Sequence, residues 1–208
     1  QAPGVAIAGG LGSFEPRKPL IDNITFFEDK GVEYFIKDPE VYRNKRVVIS
    51  GGGDSALDWS IFLSKVGSEV TLIHRRNEFR GALDSVEKVQ ELKNKGKIKL
   101  ITPAEVINVV GHDKVEAVVV SQAEHIQKEF EIECDHFIPL FGLSPKLGPI
   151  ANWGLNLNKK HIPVNTENFE TNQKGIFAIG DICMYPGKLK LILSGFHEGA
   201  LAARGCFK

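Results

Sequence analysis

Gly51, Gly52 and Gly53, followed by Asp54, Ser55 and Ala56, close the apolar run Val47-Val48-Ile49-Ser50 and open a helical pattern. Glycines at the end of a strand let the backbone approach a phosphate, and the N–H groups of a helix starting there favour an anion. Asp54 and Ser55 read as cap residues for that helix, with their backbone N–H groups turned to the phosphates. The next apolar run, Glu69–Ile73, ends in His74, Arg75 and Arg76, with Arg80 close behind. In a dinucleotide-binding βαβ unit an acid about 20 residues past the glycines takes a ribose hydroxyl, whereas arginine accommodates an additional phosphate. Here basic residues stand in place of the acid, and guanidinium forks match phosphate oxygens. The expected ligand is NADP(H) in preference to NAD(H). The plainer alternative is a solvated basic loop in which Arg75, Arg76 and Arg80 pair with Glu78 and Asp84.

Such a site needs a strand before the glycines, a helix after them and a second strand beside the first. Ala56, Leu57, Trp59, Ile61, Phe62, Leu63 and Val66 give the helix its apolar positions, and Gly67 is placed to end it. Strands are expected over 4–9, 31–36, 46–50, 69–73 and 98–101, with a connector over 11–19 marked by Pro16 and Pro19, and a charged helix near 84–95. Val106–Val110, the turn Gly111-His112-Asp113-Lys114 and Val115–Val120 read as a β-hairpin, which Phe130–Cys134 continues; Phe137–Phe141 reads as a buried run. Gly175–Asp181 reads as a strand ending in Gly180-Asp181, and 194–207 as a helix with Gly195, Gly199, Ala200 and Ala203 on one face. A hairpin inserted in a parallel βαβ pattern predicts an α/β fold. Its centre is a three-layer Rossmann-like nucleotide-binding domain, with a parallel sheet and a small antiparallel β insertion.

Composition narrows the function classes. The chain has 208 residues, 42% apolar and 25% charged, with 26 basic and 26 acidic side chains, so no net field favours nucleic acid or a membrane surface. No run approaches the ~18–20 apolar residues of a membrane span. Cys134, Cys183 and Cys206 are few and scattered, which suits reduced thiols and a cytoplasmic setting. The six histidines show no HExxH spacing, Cys134-x-His136 alone offers too few zinc ligands, and no GxSxG elbow is present. The only methionine is Met184 and the chain opens almost directly on a strand, so a fragment of a longer protein is expected.

The stretch Gly175-Ile176-Phe177-Ala178-Ile179-Gly180-Asp181 resembles the second FAD-binding motif of two-dinucleotide flavoproteins, in which the Asp contacts the ribityl chain. On spacing alone Asp181 could equally cap its own turn. With Gly51–Ala56, His74-Arg75-Arg76, Arg80 and Gly142-Leu143-Ser144-Pro145, the chain is similar to the thioredoxin-reductase-like pyridine nucleotide-disulfide oxidoreductases. Thioredoxin reductases carry a CxxC before the NADP strand; the matching segment here, Tyr34–Tyr42, holds no sulfur, which removes dithiol relay. What remains resembles ferredoxin–NADP+ reductase of the thioredoxin-reductase type, as do Gly12–Pro19 and Gly187–Ala200.

That resemblance implies NADP(H) and, in the full-length protein, FAD, with Phe14, Gly180 and Asp181 on the flavin. It implies ferredoxin or flavodoxin as partner and a homodimer at full length. Residues 16–141 would form an NADP-binding domain; residues 1–15 and 142–208 would form part of an FAD-binding domain whose N-terminal half and C-terminal extension lie outside the chain. Pro16–Pro19 and Gly142–Pro145 would serve as hinges, and Arg17, Lys18, Lys188 and Lys190 as a docking patch, unless these are scattered surface charges. Because cofactors carry the chemistry, no side chain is expected as acid or base. The remaining alternative is an NADP-binding module without catalysis, a sensor or scaffold.

Overall fold

The computed structural model describes residues 4–10, 12–124 and 126–207. Along the chain, β1 (Val5–Ile7) and β2 (Ser13–Pro16) precede β3 (Arg46–Ser50), α1 (Asp54–Val66), β4 (Glu69–Ile73), α2 (Leu83–Asn94) and β5 (Ile98–Ile101). Next come β6 (Ala104–Val110), β7 (Ala117–Glu124), β8 (Ile126–Glu133) and β9 (His136–Pro139). The chain closes with β10 (Leu143–Lys146), β11 (Ile162–Pro163), β12 (Ile176–Ala178), β13 (Cys183–Met184) and α3 (Ile192–Cys206). It divides into two compact units, Pro16–Gly142, and Gln1–Glu15 with Leu143–Lys208.

In the unit Pro16–Gly142, parallel strands stand in the order β5-β4-β3-β9. Parallel strands are covered on both faces and so read as continuous apolar runs. On one face Val47, Ile49, Val70, Leu72 and Ile98 pack against Ala56, Leu57 and Leu63 of α1 and Val89 of α2. On the other, Val48, Ile73, Ile101 and Phe137 pack against Val106, Val109, Val118, Val120 and Ile132 of the antiparallel sheet β6-β7-β8. Helices, parallel sheet and antiparallel sheet make the three layers expected from the hairpin. Gly67 ends α1 at φ 100°, its N–H bonded to the Leu63 carbonyl.

Two expectations fail locally. Residues 31–36 form no strand: a 3-10 turn covers Ile24–Phe27, and Val32 makes only isolated bridges to Glu28 and Phe137. Val32 and Tyr34 instead drop into one core and Ile36 into the other, so an apolar alternation arises without sheet geometry. Residues 11–19, expected as a connector, contain β2, which pairs with β10.

The second unit pairs β1 in parallel with β12, and β11 with β13. Ile7, Ile162, Phe169, Phe177, Ile182, Cys183 and Ala202 form its core. The small face of α3 lets it lie close to the turn after β12; a Cβ on Gly195 would sit 3.6 Å from the Gly180 Cα.

Candidate functional site

The glycine turn is fixed from three sides. Gly51 N–H donates to the Ile73 carbonyl at 3.0 Å, and Leu140 N–H to the Ser50 carbonyl at 2.7 Å. A Cβ on Gly51 would lie 2.7 Å from the Leu140 oxygen and 2.8 Å from Ala56 Cβ, and one on Gly52 would overlap the His74 ring. At Gly53, by contrast, a Cβ would meet nothing within 4 Å. The turn is therefore closed on its protein side and open on the side from which a phosphate would approach.

Gly53 is itself the N-cap of α1, and no side chain caps the helix. This corrects the expectation that Asp54 and Ser55 cap it. Both are exposed first-turn residues, and the Asp54 carboxylate accepts instead from Ala82 N–H at 2.7 Å. An uncapped helix start carries orphan N–H groups and the positive end of the macrodipole. An anion fits there.

The loop between β4 and α2 is stitched onto this turn. Arg80 N–H donates to the Gly52 carbonyl at 2.8 Å, the Asp54–Ala82 bond lies just beyond, and Gly81 has no room for a Cβ, which would come 2.5 Å from Leu57 Cδ1. Arg75, Arg76 and Arg80 are exposed, and none of the three guanidinium groups has a carboxylate partner among the described residues. The pairing with Glu78 and Asp84 does not form.

His74 behaves differently from the arginines. Its side chain is buried, its ring stacks on Phe79 at 5.1 Å, and Nε2 lies 3.1 Å from the Glu78 carbonyl. Burial pushes its imidazole below the ordinary value, and the nearby arginine charges push the same way. It is a neutral wedge under Gly52, not a further cation at the rim.

In the second unit Gly180 has φ +75° and open space where a Cβ would point. Asp181 follows it half-buried, and Phe14 on β2 is 53% exposed. The sequence reading missed Glu198, a fully buried carboxylate on α3 that takes the Gly180 N–H at 2.7 Å. Its signal was an acid set among the small residues of that helix. Lys188, expected on a docking patch, is only 8% exposed and pairs with Glu198. Lys18 pairs with Glu28 at 2.6 Å, and Lys190 Nζ lies 3.0 Å from His161 Nε2. Burial pushes the Cys134 thiol up to about 12 and the Cys183 thiol up to about 11. Among the described residues no group of three His, Cys, Asp or Glu could hold a metal, and no helix is long and apolar enough to cross a membrane.

Comparison with known proteins gives a consistent setting. The profile of the family "Pyridine nucleotide-disulphide oxidoreductase" matches residues 7–199. A ferredoxin–NADP reductase of Flavobacterium johnsoniae is 68% identical over 208 residues, covering 100% of this chain and 59% of that protein. One from Pelagibacter ubique is 56% identical over 206 residues, covering 99% of this chain and 60% of its own. The chain therefore spans less than two thirds of the length of the curated relatives it matches. Among solved structures, thioredoxin reductase of Lactococcus lactis superposes with a TM-score of 0.74 at 26% identity, over 98% of this chain and 65% of that one. That of T. acidophilum gives 0.75 at 26% identity, over 98% and 64%.

Proposed function

Because the chain belongs to the pyridine nucleotide-disulphide oxidoreductase family, we propose that it is the NADP-binding part of a ferredoxin–NADP+ reductase. In this reading Pro16–Gly142 binds NADP(H), and the second unit contributes Phe14, Gly180 and Asp181 to an FAD site that the full-length protein completes. Electrons pass between ferredoxin, or flavodoxin, and NADP(H) in a cytoplasmic protein that forms a homodimer at full length. The single observation carrying the proposal is an open, uncapped helix start at Gly53 beside three guanidinium groups that have no carboxylate partner among the described residues. The high identity to proteins named ferredoxin–NADP reductase supports the electron partner.

The division of labour follows. The backbone N–H groups at Gly53, Asp54 and Ser55 hold the pyrophosphate, and Arg75, Arg76 and Arg80 hold the 2′-phosphate. Flavin, when bound, supplies two-electron storage and hydride exchange with the nicotinamide. No residue here need move a proton. Disulfide reduction lacks its thiols, since Tyr34–Tyr42 holds no cysteine.

Nucleotide titration tests the reading. NADP(H) should bind more tightly than NAD(H), and Arg75→Gln or Arg76→Gln should each narrow the gap by about 1–3 kcal/mol, the worth of a charge-assisted contact. Equal affinity for the two nucleotides in the unmodified protein overturns it.

A further inference from the structure

Glu198 is fully buried and has four donors: Gly180 N–H at 2.7 Å, the Tyr185 hydroxyl at 2.8 Å, the Cys183 thiol at 3.4 Å, and Lys188 Nζ. Burial alone would raise its carboxyl. The hydrogen bonds from Lys188, Tyr185 and Gly180 outweigh that and hold it below its ordinary value, so it is charged. A buried ion pair adds little net stability, because desolvation offsets the attraction. Its use lies in what it orients. Three of the donors come from the segment 183–188, and the fourth is the amide of a glycine held at φ +75°. Glu198 thus ties the turn after β12 to α3 and to the Lys188 segment at once. The outward side of Gly180 is open.

We infer that Glu198, held by Lys188, is a positioning residue that sets the Gly180–Asp181 turn for the hydroxylated chain of the flavin. The inference rests on the flavoprotein reading above and goes beyond it by assigning a role to a buried carboxylate that acts through the Gly180 amide. The titratable groups facing Glu198 are Lys188, Tyr185 and Cys183, with Asp181 next beyond Gly180.

The test uses the full-length flavoprotein, stripped of flavin and titrated with FAD across mildly acidic to mildly alkaline pH. Glu198→Gln keeps the shape but turns donors toward Lys188 and Tyr185, and should weaken FAD binding about tenfold at every pH, the loss of a charge-assisted bond. Lys188→Met removes the cation, so burial raises the carboxyl. FAD affinity should then be near that of the unmodified protein at alkaline pH and fall about tenfold as Glu198 protonates. Lys188→Arg should restore the flat profile. NADP(H) affinity should stay unchanged in all three, which separates positioning from misfolding. Should Glu198→Gln fail to fold, the contrast between Lys188→Met and Lys188→Arg decides. FAD affinities and pH profiles equal to the unmodified protein's overturn the inference and leave the flavoprotein reading standing. An unmodified protein that takes up no FAD overturns both.

Discussion

Gly52 and His74 occupy each other's space, so neither can change alone. A Cβ on Gly52 would overlap the imidazole, which is pinned by Phe79 and by Glu78. Gly52→Ala should therefore destabilise the protein by about 1–3 kcal/mol, the usual cost of overfilling a packed site. Adding His74→Ala to it should recover part of that loss, giving a coupling energy in a double-mutant cycle of denaturant midpoints. Strict additivity would show that the two residues are independent. Burial of the same ring predicts a pH effect. The unfolded chain takes a proton on His74 near 6.5, while the folded chain resists it until lower pH. Protons thus favour the unfolded state, and stability should fall as pH drops below about 6.5, levelling once the folded imidazole also protonates. His74→Gln should flatten that slope in urea melts taken over the same range. The arginines were legible because charge at a set distance from glycines speaks for itself. His74's burial was not, since residue type says nothing about which side of a turn a ring takes.

Helices α1 and α2, already joined by the Ser85 hydroxyl donating to Asp58 Oδ1 at 2.8 Å and by a shared core, gain a second side-chain tie from Asp54. Its carboxylate accepts the Ala82 N–H at 2.7 Å, tying the start of α2 to the start of α1 and holding the arginine loop between them. Asp54→Ala should loosen that loop and reduce the preference for NADP(H) over NAD(H). Asp54→Asn, which keeps an acceptor for Ala82, should retain it. Parallel binding titrations of the two variants check this, and the same discrimination in Asp54→Ala as in the unmodified protein refutes it. Elements with a local signature were readable from the sequence. Strands β3, β4 and β5 each send apolar residues into both clusters, and α1 has apolar positions at helical spacing with Gly67 at its end. Those whose cause is remote were not. Strand β2 exists because β10 pairs with it from far along the chain. Residues 31–36 mimic a strand because Val32 and Tyr34 enter one core and Ile36 the other. Lys188 reads as a surface lysine until α3 brings Glu198 to it. In each case the deciding contact is tertiary, and no local pattern encodes it.

Both hydrophobic clusters that hold the three layers together are drawn wholly from residues between Ile21 and Phe137 or Leu140, inside Pro16–Gly142. The ends of that stretch are also joined, Arg17 N–H donating to the Gly142 carbonyl at 3.0 Å. A unit with its own core and adjoining ends meets the conditions for independent folding. Residues 16–142 expressed alone should therefore unfold in one cooperative transition and keep the preference for NADP(H), since Gly51–Gly53, Asp54 and the three arginines all lie within it. Circular dichroism melts and nucleotide titration of that piece check both halves of the prediction. A non-cooperative melt would mean that the remaining residues supply stability which the two clusters do not, and cooperative folding without nucleotide preference would place the discrimination outside the arginine loop.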